Sequence, residues 1–436
     1  MRLSPVILAA VVAAAPCAAQ APRAQAVPAN APLTMDPAVR TGRLPNGLRY
    51  YVRRNARPEK RAELRLVVNA GSILETDAQR GVAHFVEHMA FNGTRRFPKS
   101  AIVDFLERIG MRFGADVNAS TSFDETTYML QVPTDTAKFI ETGLDILEDW
   151  AHGISFDPAE LQKERGVVVE EWRSGRDAIT RVSNRQIPVM LRGSAYADRL
   201  PIGTKENLES FPDSVARAFY RDWYRPDLMA VIAVGDFDPA TMARLIQARF
   251  ARIPMPNAPR RRAEAPVPDH AETLVSIEAD REYPGRDVSM LWLKPRMHER
   301  TTADMRRGLV ARFHDTMLNL RFAEIAQHPD APFAYAGGGR GDIVRTKAAF
   351  QLNAGVKDNG FSAAAEALLA EVERARRFGF TASELARART NYVRSLEQAF
   401  AEREKMESSG VADALVQAAL SGDPLLSRSR RSDPRA

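Results

Sequence analysis

The sequence predicts an α+β protein made of two homologous mixed α/β-sandwich domains, each a sheet with helices packed on it. Only the first carries a metal site. Three observations predict this. Short stretches of alternating apolar residues precede longer stretches with helical periodicity. A segment with five prolines and an Arg-Arg-Arg run, residues 254–268, divides the chain. Beyond it the strand-then-helix order starts again.

The 436 residues leave room for two or three domains, and a hydrophobic content of 45% suffices for sizeable cores. The net charge of +6 is mild, with Arg and Lys scattered between acids and no interleaved aromatic platform, which argues against nucleic acid as a partner. Residues 1–20 hold Arg2, an apolar run from Val6 to Ala15 and a small-residue end at Cys17-Ala18-Ala19, the pattern of a secretory signal peptide. A lipidated Cys17 is the alternative, disfavoured by Pro16. Cys17 is the sole cysteine, so an exported mature chain has no disulfide and any metal site must use His and carboxylate. No stretch approaches the ~20 apolar residues of a membrane span. The expected location is the periplasm.

Residues 21–36, rich in Ala and Pro, read as a flexible leader, and residues 37–253 as the metal-bearing domain. Within it, residues 43–53 form a strand after a Pro-Asn-Gly turn, and residues 63–70 a second, with Leu64, Leu66 and Val68 on one face. Helices follow from Gly81 and over residues 99–109, 135–151 and 157–173. Residues 113–132 hold N-A-S-T-S and an alternating strand, residues 229–235 an apolar strand and residues 239–250 a helix. Residues 254–268 read as a linker whose arginines form a solvated face. In the second domain, residues 269–420, a strand at 288–293 precedes a helix at 303–326, where His314 stands alone as a structural residue. Y-A-G-G-G-R-G-D at residues 335–342 reads as a flexible loop, residues 361–378 and 382–402 as helices, and residues 421–436 as a disordered tail.

The chemistry concentrates in residues 81–89. Two of only seven histidines, His84 and His88, stand four apart in H-F-V-E-H with Glu87 between them. At about 100° per residue, His88 lies near 40° and Glu87 near 300° relative to His84, on one narrow face, while Val82, Phe85, Val86 and Met89 share the opposite, apolar face. Two imidazoles at this spacing reach one zinc ion. Glu87 lies beside that ion, placed to take a proton from water whose pKa the metal lowers to about 7. The alternative is a surface helix with its histidines in water.

A catalytic zinc site needs a third protein ligand. L-Q-K-E-R-G-V-V-V-E-E-W-R, residues 161–173, supplies candidates: Glu164, Val167, Val168 and Glu171 are spaced as an inward stripe, and the two carboxylates lie about 20° apart. Glu170 points elsewhere.

H-F-V-E-H-M-A-F-N-G-T, then N-A-S-T-S, then E-R-G-V-V-V-E-E, in that order, resemble the pitrilysin/insulinase family of zinc peptidases, the inverzincins. The resemblance implies one Zn2+ per chain held by His84, His88 and Glu171, a general base at Glu87, and Glu164 as a supporting carboxylate. It implies that Asn118 and Ala119 lie on an edge strand that binds substrate backbone, a mode tolerant of side chains. It covers about residues 41–253 strongly and runs weakly towards Leu420. It also implies a second half or subunit that closes a chamber around the substrate, so the chain resembles the first half of a bacterial periplasmic member. The function expected is a zinc endopeptidase acting on small or unfolded polypeptides. The alternatives are a non-catalytic binding or assembly module and a half-enzyme active only with a partner chain.

Overall fold

The computed structural model describes residues 28–358 and 360–426. The expected signal peptide and most of the tail lie outside these residues. Six strands, β1 Val39–Arg43, β2 Arg49–Arg54, β3 Arg61–Val68, β4 Val117–Thr121, β5 Thr126–Pro133 and β6 Met229–Gly235, form one sheet in the order β1-β2-β6-β3-β5-β4. Only β2 and β6 run parallel. β6 reads M-A-V-I-A-V-G without a polar break because both of its faces are buried. Val231 and Ala233 face the main core; Ala230, Ile232 and Val234 face a second, smaller one.

The main core takes α1 Val82–Met89, α2 Ala101–Arg108, α3 Ala137–His152, α4 Pro158–Ser174, α5 Ala178–Met190, α6 Lys205–Ser210, α7 Asp213–Trp223 and α8 Pro239–Phe250. Leu64, Leu66 and Val68 of β3 pack there with Phe85, Trp150 and Phe219. Residues 254–268 have no regular structure. Arg262 is nonetheless not part of a solvated face: it donates to Asn69 O at 2.8 Å and to the buried carboxylate of Asp124 at Oδ1, 3.0 Å, a charge-assisted bond that holds it inward.

Beyond this segment, β7 Asp287–Lys294, β8 Phe333–Val344 and β9 Lys347–Val356 form an antiparallel sheet in the order β7-β9-β8. It packs against α9 Thr302–Ala326 and α10 Phe361–Phe378, with α11 Ala382–Ala401 beside α9. The expected loop at residues 335–342 is instead the middle of β8. Its glycines leave no alternation to read, yet they permit the strand: a Cβ on Gly338 would stand 2.5 Å from Leu352 Cδ2. Asn319 on α9 then bonds both Gly338 N (2.7 Å) and Gly338 O (2.8 Å).

The chain ends also differ from expectation. α12 Ser408–Ser421 does not join the second sheet; Val411, Ala412, Leu415, Val416 and Ala419 cover the outer face of the first sheet against Tyr51, Val67, Ile232 and Val234. Residues 422–426 continue this packing, with Leu426 buried and Leu425 O accepting from Asp36 N at 2.7 Å. Residues 28–36 are held by backbone bonds such as Leu33 N to Arg300 O at 2.8 Å, so this part of the leader is fixed in place. The apolar residues of α12 recur at helical spacing, but local sequence does not say which sheet face they cover.

Candidate metal centre

α1 begins at Gly81, whose φ of 93° places it in the left-handed region open to glycine. No side chain within the helix caps it. The buried carboxylate of Glu75 does so from outside, accepting from Gly81 N at 3.1 Å and Ala83 N at 2.7 Å. Burial pushes Glu75 up to about 8, against the pull of those two N–H groups. Val82, Phe85, Val86 and Met89 are fully buried, and Phe85 meets Phe211 edge-on at 4.9 Å. With its back fixed, α1 presents His84, Glu87 and His88 on its other side.

α4 crosses this face. Its N-terminus is set by Pro158 and by Asp157, which accepts from Ala159 N and Glu160 N. The buried stripe comprises Leu161, Glu164 and Val168, whereas Val167 is 49% exposed and the Glu171 side chain 47% exposed. The expectation that Val167 shares the inward face is therefore corrected. The stripe centres between Leu161 and Val168, which leaves Glu171 at its rim and Val167 about 90° off. Glu170 points outward and pairs with Arg173.

The two helices bring His84, His88 and Glu171 together, their ligand atoms all within 4.8 Å of one another. His84 Nε2 and His88 Nε2 are 3.3 Å apart; Glu171 Oε2 lies 3.2 Å from His88 Nε2 and Oε1 3.8 Å from His84 Nε2. Donors bound at 2.0–2.1 Å to a tetrahedral zinc stand about 3.3 Å from each other; the two separations at His88 match that edge, and the one from His84 to the other carboxylate oxygen is about half an ångström longer. The donor set of two imidazoles and a carboxylate suits it as well. Among the described residues, His84 Nδ1 is buried without a hydrogen-bond partner.

Around this group, His88 Nδ1 donates to Glu164 Oε1 at 2.7 Å. Asn92 Nδ2 donates to Glu164 Oε2 at 2.7 Å and to His88 O at 3.1 Å. Such bonds fix the ring's tautomer and direct Nε2 forward. Glu87 is buried and accepts from Thr121 Oγ1 at 2.5 Å. Burial pushes its carboxyl up to about 7, against the Thr121 bond, the range suited to a proton acceptor near neutrality. Burial lowers His84 to about 4, helped by the charge on His88. His88 is also pulled down by burial, but its bonds to Glu164 and Glu171 outweigh that and raise it to about 9.

Asn118 and Ala119 lie on β4, the outer strand of the sheet, with only β5 beside it. Asn118 Oδ1 accepts from Ala119 N at 2.9 Å. Two residues at this site were not legible as such in the sequence, Asn92 and Thr121. Asn92 follows His88 by four, the same-face spacing already used for His84. Thr121 had no such cue, because its neighbour Glu87 is distant in sequence.

A family model described as "Insulinase (Peptidase family M16)" matches residues 50–189, and one described as "Peptidase M16 inactive domain" matches residues 214–392. The first half of the periplasmic protease PqqL from Escherichia coli superposes with a TM-score of 0.85 at 30% identity, over 92% of this chain and 86% of that one. The chain belongs to the insulinase (M16) peptidase family. A zinc protease PQQL-like of Arabidopsis thaliana is 37% identical over 88% of this chain and 37% of its own length. The probable zinc protease PqqL of Escherichia coli is 31% identical over 91% of this chain and 43% of its own length. The chain thus spans less than half the length of these curated relatives. M16 membership also accounts for the second sheet: among the described residues, the His84–His88–Glu171 group is the one set that could hold a metal ion. His314, on α9, bonds Asp315 at 2.9 Å and packs against Phe350 and Phe380. No helix among the described residues is long and apolar enough to cross a membrane.

Proposed function

We propose that this chain is a zinc endopeptidase that binds one zinc ion through His84, His88 and Glu171 and cleaves small or unfolded polypeptides. One observation carries this reading: two helices far apart in sequence hold three zinc-type donors within 4.8 Å of one another with a buried carboxylate beside them. When bound, the zinc ion supplies a Lewis acid that acidifies water and polarises a carbonyl oxygen. Glu164 holds His88 in the ligating tautomer. Glu87 takes the proton of the attacking water and passes it to the leaving amine. The open edge of β4 at Asn118 and Ala119 takes the substrate as an added strand, main chain to main chain. Export to the periplasm through residues 1–20 is part of the proposal, supported by the periplasmic setting named for the Escherichia coli relative. So are the boundaries of the metal-bearing domain at residues 37–253 and of the linker at 254–268.

A second reading is a half-enzyme that needs a partner chain. The coverage favours it: the chain aligns with 44% of the chain in a structure of the periplasmic protease PqqL from Escherichia coli. Hydrolysis of unfolded casein, with and without chelator, tests both. Activity lost to chelator and restored by zinc supports the peptidase, and Glu87→Gln should then bind zinc while losing turnover. A zinc-loaded protein that never cleaves alone, but does so with a second half added, supports the second reading. Full activity of Glu87→Gln removes the assigned base.

A further inference from the structure

We infer that Thr121 is the residue that positions Glu87 for proton transfer, an inference that rests on the peptidase reading and assigns a role to the strand facing the metal helix. Glu87 has three side-chain torsions, and its backbone on α1 does not fix where its carboxylate points. Among the described residues, Thr121 makes the one hydrogen bond to that carboxylate, Oγ1 to Oε2 at 2.5 Å. Oε1 is left for the water to be deprotonated.

The donor is itself held. Thr121 pairs with Thr126 across the β4–β5 ladder, and the two hydroxyls stand 3.3 Å apart. Thr126 Oγ1 donates to Ala70 O at 3.0 Å, which occupies its hydrogen and leaves the hydrogen of Thr121 for the carboxylate. A β-branched residue on a strand is also stiff at χ1, so the hydroxyl aims in one direction. Thr121 therefore fixes Glu87 from the sheet, while the same strand offers its open edge to substrate. Base and substrate share one rigid support, the condition for an aligned attack.

The test uses the zinc-loaded full chain with Thr121→Val, which keeps shape and removes the donor, and Thr121→Ser, which keeps the donor. With an internally quenched peptide, Thr121→Val should lose about tenfold or more in kcat at unchanged KM and unchanged zinc content, and Thr121→Ser should recover most of it. Crystal structures of both variants give a readout independent of turnover. The Glu87 carboxylate should occupy more than one position in Thr121→Val and a single one in Thr121→Ser. A single, unmoved Glu87 in Thr121→Val overturns the inference, as does wild-type kcat. If the wild-type chain shows no chelator-sensitive cleavage, the peptidase reading fails, and the position of Glu87 in the two structures still decides the role of Thr121. Thr121→Ala replaces the valine if that variant does not fold.

Discussion

Glu164 Oε1 accepts from His88 Nδ1 at 2.7 Å, and this bond joins α4 to the ring that α1 presents to the metal. Asn92 occupies the other oxygen of Glu164 at 2.7 Å, so the carboxylate is held from both sides. Removing it frees the ring and lets the tautomer exchange. Glu164→Gln should lower zinc affinity by about 10–100-fold with little change in fold, measured by competition against a chromophoric chelator. Asn92→Ala should give a smaller loss in the same assay, since it acts through Glu164. Equal affinity for Glu164→Gln and wild type would show that the bond has no part in holding the metal.

Zinc uptake should release protons. In the metal-free protein burial lowers His88, but Glu164 and Glu171 together raise it to about 9, while His84 is lowered to about 4 by burial and the charge on His88. At pH 7 His88 is therefore charged and His84 neutral. Ligation needs a bare Nε2, so binding should expel about one proton at pH 7, and affinity should rise with pH until about 9. Calorimetry in two buffers of different ionisation enthalpy measures this. The stability of the metal-free protein should run the other way. A raised His pKa stabilises fully below the unfolded value near 6.5, and that stabilisation is lost as pH rises from there through 9. His88→Gln should flatten both profiles.

How much of this was legible in the sequence follows from which contacts are local. The α1 face was readable because 3.6-residue spacing alone places His84, Glu87 and His88 together and Phe85 opposite. β6 was readable because a strand buried on both faces is apolar throughout. β8 was not, since Gly337, Gly338 and Gly339 carry no side chains to alternate, and the strand exists because Leu352 and Asn319 need that space. The inward face of α4 was misread in one member, Val167 in place of Leu161, because Glu171 sits at the rim and pulled the reading towards itself. The partner of Thr121 and the docking of α12 on the first sheet depend on pairings across the whole chain, which no local pattern records, although the helical spacing of Val411, Ala412, Leu415, Val416 and Ala419 marks the helix itself.

The start of α1 depends on a close crossing of two glycines. Gly203 has φ of 74°, and a Cβ there would stand 2.4 Å from Gly81 Cα and 2.6 Å from Arg80 O. Backbone on the far side cannot rotate away, unlike a flexible side chain. Gly203→Ala therefore combines left-handed strain with a backbone clash. It should cost about 3 kcal/mol or more of stability, read from chemical denaturation. It should also weaken zinc binding, because the shift displaces the helix that carries both histidines. Gly422→Ala is the control: it too is left-handed, with φ of 73°, but its Cβ would meet only the flexible end of Arg300 at 3.5 Å, so it should lose only the smaller conformational part and leave zinc binding intact.

α12 comes from the end of the described chain yet closes the first sheet, so the two should unfold together. Leu415 is fully buried among residues of β2, β3 and β6, including Tyr51, Val67 and Ile232. Leu415→Ala leaves a cavity that the rigid sheet cannot fill, and should cost about 2–5 kcal/mol. Ser408 adds a polar tie, its Oγ donating to Asn55 O at 3.0 Å and its N to Arg57 O at 2.6 Å. Hydrogen exchange gives the decisive measurement. If α12 is part of the first sheet's cooperative unit, Leu415→Ala should speed exchange of β3 and β6 amides as much as those of α12 itself. The β9 amides of the second sheet should be slowed or sped far less, since β9 lies outside the core that Leu415 joins. Faster exchange confined to α12 would make that helix a separately melting cover rather than a wall of the metal-bearing unit.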